Sequence, residues 1–220
     1  MLFLSALCNL SGQALTVTIH DGRPSATPEN VGYSFPVTAE LDVLQDVISR
    51  LEHSGIAYML TGSFALSYYA QPRMTRDIDV VIELSGRDAT SVTGVFHPEY
   101  YVSEADVSRA IAEQGMFNIL HLEKVVKLDF IVRKDAPYRR QEFERRQRVT
   151  LPGFDAWIVS REDLILSKLL WAKDSLSELQ LSDVSALLAG NVDRTYLERW
   201  ASELSVNDLL RRSQNAGHQP

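Results

Sequence analysis

Cysteine is nearly missing: Cys8 stands alone among 220 residues. No intramolecular disulfide can form, which suits a reducing compartment. No apolar run approaches the roughly 20 residues that a membrane-spanning helix needs. Met1 to Leu7 is apolar but short, with no basic segment before it, and reads as an extension rather than a leader. Positive charge is also scarce, with 22 Lys and Arg against 29 Asp and Glu and a net charge of −7. That balance excludes a generally basic nucleic-acid coat, though not a local basic groove. The five histidines (His20, His53, His97, His121 and His218) show no metal-ligand spacing and Cys8 has no partner, so a zinc site is not expected. Repeats and low-complexity tracts are absent. These absences lead us to expect a cytoplasmic protein that does not enter a membrane.

What is present is enough apolar residue to build a real core, in one large domain or two small ones. Residues 21–36 carry Gly22, Pro24, Pro28, Gly32 and Pro36 and read as a linker. We therefore expect an N-terminal extension over 1–37 that is poorly ordered. Thr38 can cap a helix to about residue 53, with Leu41, Leu44, Val47, Ile48 and Leu51 on one face and Gly55 as a stop. A strand over 56–60, a helix over 63–70 and a strand over 77–84 follow. A helix over 104–114 leads to strands over 117–122 and 124–132. After a polar helix over 138–146, a hairpin turns at Pro152-Gly153. From Ser160 the chain becomes helical, with Asp163 three residues on forming an approximate capping box. The fold class expected is α/β (α+β): a mixed sheet with flanking helices over 38–159, a helical C-terminal domain over 160–212 and a tail over 213–220.

The chemistry sits at three places. Gly62-Ser63 lies where a strand gives way to a helix, where backbone amides can meet phosphate oxygens. Asp77 and Asp79 occupy alternate positions of an apolar strand and so share a face. Asp129 lies inside a second strand. Clustered carboxylate oxygens suit divalent metals such as Mg²⁺, and two such ions can stabilise both ends of an in-line displacement. An isolated Asp-x-Asp would more often be an exposed strand pair; the neighbouring Gly-Ser and third acid tip the balance. Arg73 and Arg76 flank the entry to the Asp strand, where either can meet triphosphate oxygens or simply face solvent. Lys168 lies within an apolar helix, and spacing alone favours a snorkelling surface lysine. The basic segment Arg133, Lys134, Arg139, Arg140, Arg145, Arg146 and Arg148 is interrupted by Asp135, Glu142 and Glu144. It reads as a solvated face laced with ion pairs slightly better than as a nucleic-acid track.

Gly62-Ser63, Asp77-Ile78-Asp79 and Asp129 together resemble the nucleotidyltransferase superfamily, the DNA-polymerase-β-like minimal fold. The wider runs Leu60 to Ala65, Thr75 to Asp79 and Ser160 to Leu169 resemble a bacterial subgroup that includes abortive-infection and toxin–antitoxin nucleotidyltransferases. The resemblance spans roughly residues 40–205. It implies that Asp77, Asp79 and Asp129 are catalytic and hold two Mg²⁺ ions. It implies that Gly62, Ser63, Lys168 and Arg76 bind a nucleoside triphosphate, and that Asp183 is structural. The implied acceptor is an RNA 3′ end such as that of tRNA, a protein side chain or a small molecule, and an antitoxin protein is a further implied partner. Two rivals stand beside the enzyme: a nucleotide-binding regulatory protein without turnover, and a toxin–antitoxin interaction module. Phe64 follows Ser63, so the Gly-Gly-Ser and Gly-Ser-Arg forms of better-defined transferases are absent, which leaves the triphosphate geometry and the acceptor class open.

Overall fold

The structure, a computed structural model, describes residues 7–8, 14–15, 18–20, 23–25, 39–70, 77–84, 86–175 and 177–216. The chain divides into two units, Met1–Pro36 and Val37–Pro220. In the first, β1 (Leu7–Cys8) pairs antiparallel with β2 (Ala14–Leu15), and β3 (Thr18–His20) with β4 (Arg23–Ser25).

The second unit opens with α1 (Ala39–His53), whose Leu41, Leu44, Val47, Ile48 and Leu51 are all buried. Glu40 and Asp42 sit in its first turn and Arg50 and His53 in its last, the charge order that a helix dipole favours. Next come β5 (Tyr58–Thr61), α2 (Gly62–Tyr69) and β6 (Ile78–Ile82). Pro72, a residue type that suits a stop after α2 because it pushes the preceding residue out of helical conformation, lies outside the described residues. The chain continues through α3 (Ala89–Phe96), β7 (Tyr100–Val102), α4 (Glu104–Glu113), β8 (Met116–His121) and β9 (Val126–Val132). Then follow α5 (Pro137–Glu144), β10 (Gln147–Leu151), β11 (Phe154–Ile158), α6 (Arg161–Ser175), α7 (Glu178–Leu188), α8 (Arg194–Glu203) and α9 (Asn207–Ala216).

Seven strands form one mixed sheet in the order β10-β11-β5-β6-β9-β8-β7. The pairs β6–β9 and β11–β5 are parallel and the others antiparallel. This is the mixed sheet with flanking helices that the sequence led us to expect. Alternation along β6 and β9 sorts the two faces. Ile78, Val80 and Ile82, with Leu128, Phe130 and Val132, are buried on one face, where α1 and α4 pack against β9. Asp79, Val81, Asp129 and Ile131 are the partly accessible residues of the other. The β10–β11 hairpin turns at Pro152 and Gly153, the latter at φ 91°, matching the Pro-then-Gly order of a type II turn.

Within the second unit, three elements escaped the sequence reading. Helix α3 is short, and its start is set by Asp88, whose carboxylate accepts from Ser91 N–H at 2.7 Å. Strand β7 has only three residues. Helix α9 is so polar that 213–220 read as a tail, yet it runs through Ala216 and buries Leu210 and Ser213. Helix α6 begins as expected: Asp163 N–H donates to Ser160 Oγ at 3.2 Å, and Ser160 Oγ–H donates to the Asp163 carboxylate at 2.6 Å. Asp163 is fully buried and also accepts from Arg145 (3.1 Å) and Tyr196 (2.7 Å), tying α5 and α8 to the start of α6.

Phe130 is fully buried between Phe96 and Phe117, each with ring centroids 5.4 Å away. Phe130→Ala is expected to lower stability by about 3–5 kcal/mol in urea unfolding. A loss under ~1 kcal/mol would show that this aromatic layer does not anchor the sheet.

Candidate active site

Strand register brings the predicted acids together. Asp79 of β6 stands directly opposite Asp129 of β9. Thr61 of β5 lies opposite Asp79, and Asn118 of β8 opposite Asp129. One row of side chains thus crosses four strands on the accessible face. Asp77, exposed and one residue before β6, joins that face by alternation.

Gly62 closes on this row from above. Its φ of 62° lies in the left-handed region, and a Cβ there would overlap the Asp79 carboxylate. Only glycine allows the turn to approach so closely. A serine at a helix start commonly caps it with its hydroxyl, but the cap residue of α2 is Thr61, with no side-chain cap bond. The Ser63 backbone N–H donates to Asp79. The turn therefore holds an oxygen of the acid strand with a main-chain donor, as such turns hold anionic oxygens in general.

Lys168 corrects the spacing-based expectation of a surface lysine. It is 4% exposed. Its Nζ donates to Asp183 at 2.8 Å and to Gln180 at 3.2 Å. Its charge is near enough to Asp79 to favour that carboxylate's ionised form. Leu164, Ser167, Lys168 and Trp171 follow helical spacing, so α6 presents them as one stripe. With Thr61, Gly62, Ser63, Asp79, Ile131 and Gln180 they enclose a cavity of about 190 Å³.

Of the predicted site residues, Gly62, Ser63, Asp79 and Lys168 line this cavity. Asp129 adjoins it through its register with Asp79, and Asp77 lies at the strand's entry. Arg76 and Arg73 lie outside the described residues. Sequence reasoning missed Thr61, Gln180, Trp171, Asn118 and Lys127. Trp171, three residues after Lys168, was the one with a readable signal.

Burial pushes the Asp79 carboxyl above its ordinary range, and the charges of Asp129 and Asp77 push it further; Lys168 and the Ser63 amide act the other way. Lys127, two residues before Asp129 on the same strand face, forms an ion pair with it at 2.9 Å, and that pairing raises the lysine's own pKa. Among the described residues no group of three or more His, Cys, Asp or Glu side chains is gathered as a ready metal cage. The donor chemistry still fits a hard cation. Asp77, Asp79 and Asp129 offer only oxygens, and their mutual repulsion is the charge imbalance that such a cation relieves.

The basic segment resolves into ion pairs. Arg133 pairs with Glu83, Arg139 with Glu142, Arg140 with Asp135, Arg145 with Glu162 and Asp163, and Arg148 with Glu52. Arg146 lies over the rings of Phe143 and Trp157. These contacts favour ion pairing over a nucleic-acid track, but not a wholly solvated face, since Glu142 and Asp163 are buried.

No family model and no curated protein matches the sequence. Solved structures do. An antigenic nucleotidyltransferase-like protein from Paracoccidioides brasiliensis matches over 83% of this chain and 95% of its own, at 18% identity and a TM-score of 0.51. The antibiotic-resistance factor ANT(2'')-Ia matches over 80% of this chain and 92% of its own, at 12% identity and a TM-score of 0.45. The lincosamide antibiotic adenylyltransferase LnuA, lincomycin-bound, matches over 69% and 98%, at 14% identity and a TM-score of 0.41. The first of these, at such low identity, establishes likeness of fold: the chain has the fold of nucleotidyltransferase-like proteins.

Because folding raises the Asp79 pKa, the folded state favours its protonated form. The resulting cost is absent below the carboxyl's ordinary range and grows as pH rises through that range toward the raised value. In metal-free buffer Asp79→Asn is therefore expected to stabilise the protein by about 0.5–2 kcal/mol at pH 7 and by much less at acidic pH. Thermal unfolding at the two pH values checks this. A variant less stable than wild type at pH 7 would contradict it.

Proposed function

We propose that this protein is a metal-dependent nucleotidyltransferase. It moves a nucleoside monophosphate from a nucleoside triphosphate to an acceptor hydroxyl, with release of pyrophosphate. The observation that carries this reading is the facing of Asp79 and Asp129 beside the Gly62-Ser63 turn and the buried Lys168.

Asp77, Asp79 and Asp129 would hold Mg²⁺, which when bound supplies positive charge to the phosphate oxygens and eases ionisation of the attacking hydroxyl. The chain's own residues supply the rest. The amides at the start of α2 offer donors to the β- and γ-phosphates, with the helix dipole behind them. Ser63 adds a hydroxyl. Lys168 brings a point charge from the opposite wall, aimed by Asp183 and Gln180. Asp129 lies on the side of Asp79 away from Gly62, where it can orient the acceptor hydroxyl and receive its proton. Arg76, from the segment preceding Asp77, would meet the triphosphate. Most of this is positioning and charge stabilisation, which is what phosphoryl-group chemistry chiefly needs.

The acceptor classes are an RNA 3′ end, a protein side chain and a small molecule. Pyrophosphate release from each of the four ribonucleoside triphosphates with Mg²⁺, with and without bulk tRNA, tests the reading. Release is expected from wild type and a drop of at least about 100-fold in Asp79→Ala, the scale of losing one preorganised charge-stabilising group. Dependence on tRNA would select the RNA acceptor. Release unchanged in Asp79→Ala would sink the assignment, and nucleotide binding without any release would leave a regulatory protein.

A further inference from the structure

A second, larger cavity of about 500 Å³ opens beside the first and shares Thr61, Ile131, Ser167 and Trp171 with it. The two differ in chemistry. The smaller has Lys168, Ser63, Gln180 and the Asp79 carboxylate in its wall. The larger is floored by Val81, Ile131 and Met116, the row of sheet residues next to the acids. It is roofed by Leu170 and Trp171 of α6. Two of its three cations are already matched: Arg139 donates to Glu142 at 2.7 Å and to Ser167 at 2.8 Å, and Arg133 pairs with Glu83; the third, Lys134, is exposed to solvent. Such a wall suits a flat, neutral ring system with a few polar edges, and suits a phosphate poorly.

Trp171 is the unusual member. Its side chain is 63% exposed although the helix around it is buried on its Leu164, Ile165, Leu166 and Leu169 positions. It stands one turn beyond Lys168, at the boundary of the two cavities. A ligand whose phosphates lie against Lys168 and Ser63 would extend within reach of the indole face. Base–aromatic stacking contributes about 1–3 kcal/mol and tolerates any base.

Resting on the nucleotidyltransferase reading, we propose that the larger cavity holds the nucleoside part of the triphosphate and that Trp171 is the surface on which its base stacks. The smaller cavity takes the polyphosphate. Trp171 is then a nucleotide-binding residue that acts on the base alone, separable from the residues that meet the phosphates.

Calorimetric titration of the full chain with Mg²⁺ plus either a non-hydrolysable ATP analogue or inorganic tripolyphosphate tests this. Trp171→Ala is expected to weaken the analogue by between about 5-fold and about 150-fold while leaving tripolyphosphate unchanged. Trp171→Phe, which restores an aromatic face, is expected to recover most of the affinity. Equal weakening of both ligands, or of neither, overturns the base-stacking role. A wild-type protein that binds tripolyphosphate as tightly as the analogue overturns the nucleoside cavity while leaving the phosphate site standing. A wild-type protein that binds neither ligand overturns the nucleotidyltransferase reading and this inference with it.

Discussion

Two carboxylates on neighbouring strands repel each other, and the sheet nevertheless fixes Asp79 opposite Asp129 through the parallel register of β6 on β9. That register is enforced from the other face. Sliding either strand by one residue would turn Val80, Ile82, Leu128 and Phe130 out of the core. The apolar side of the sheet thus holds an electrostatic strain on its polar side. Burial, and after it this repulsion, raises the Asp79 carboxyl's pKa, and the Lys127 ammonium relieves part of the repulsion at Asp129. A site arranged this way has a built-in appetite for positive charge.

The surrounding elements follow from the same row. Gly62 is the only residue type that lets the β5–α2 turn reach the Asp79 carboxylate. Helix α6 is brought over the open face by a buried polar joint. Asp163 gathers Ser160, Arg145 and Tyr196, and Glu142 accepts from Arg139 and Ser167. That joint anchors the start of α6, from which Leu164, Ser167, Lys168 and Trp171 line the smaller cavity while Leu166 and Leu169 do not. Lys168 is buried in company, with Asp183 and Gln180 of α7 as its partners, because a lone buried ammonium would be too costly to keep.

Much of the fold was legible in the sequence because it rests on local patterning. The apolar stripe of α1, the alternation of β6 and β9, the Pro152-Gly153 corner and the Ser160–Asp163 start of α6 are all short-range signals. The elements that escaped are those whose stability comes from elsewhere. Helix α9 has little apolar surface, and its packing onto α6, α7 and α8 holds it. Strand β7 is three residues long and exists through its pairing with β8. At the site, the three acids and Gly62-Ser63 could be found by spacing. Lys168 could not, since the partners that bury it are 12 and 15 residues further on. Lys127 and Asn118 become visible only once register is known.

The central claim is that Asp79 and Asp129 form one cation-demanding pair. Its most direct measurement is Mn²⁺ titration followed by electron paramagnetic resonance in the presence of a non-hydrolysable triphosphate, comparing wild type with Asp79→Asn and Asp129→Asn. The account expects wild type to bind Mn²⁺ and each variant to lose about 10-fold or more in affinity, the scale of removing a group that ligates or orients at a metal site. Mn²⁺ affinity unchanged in both variants would contradict it.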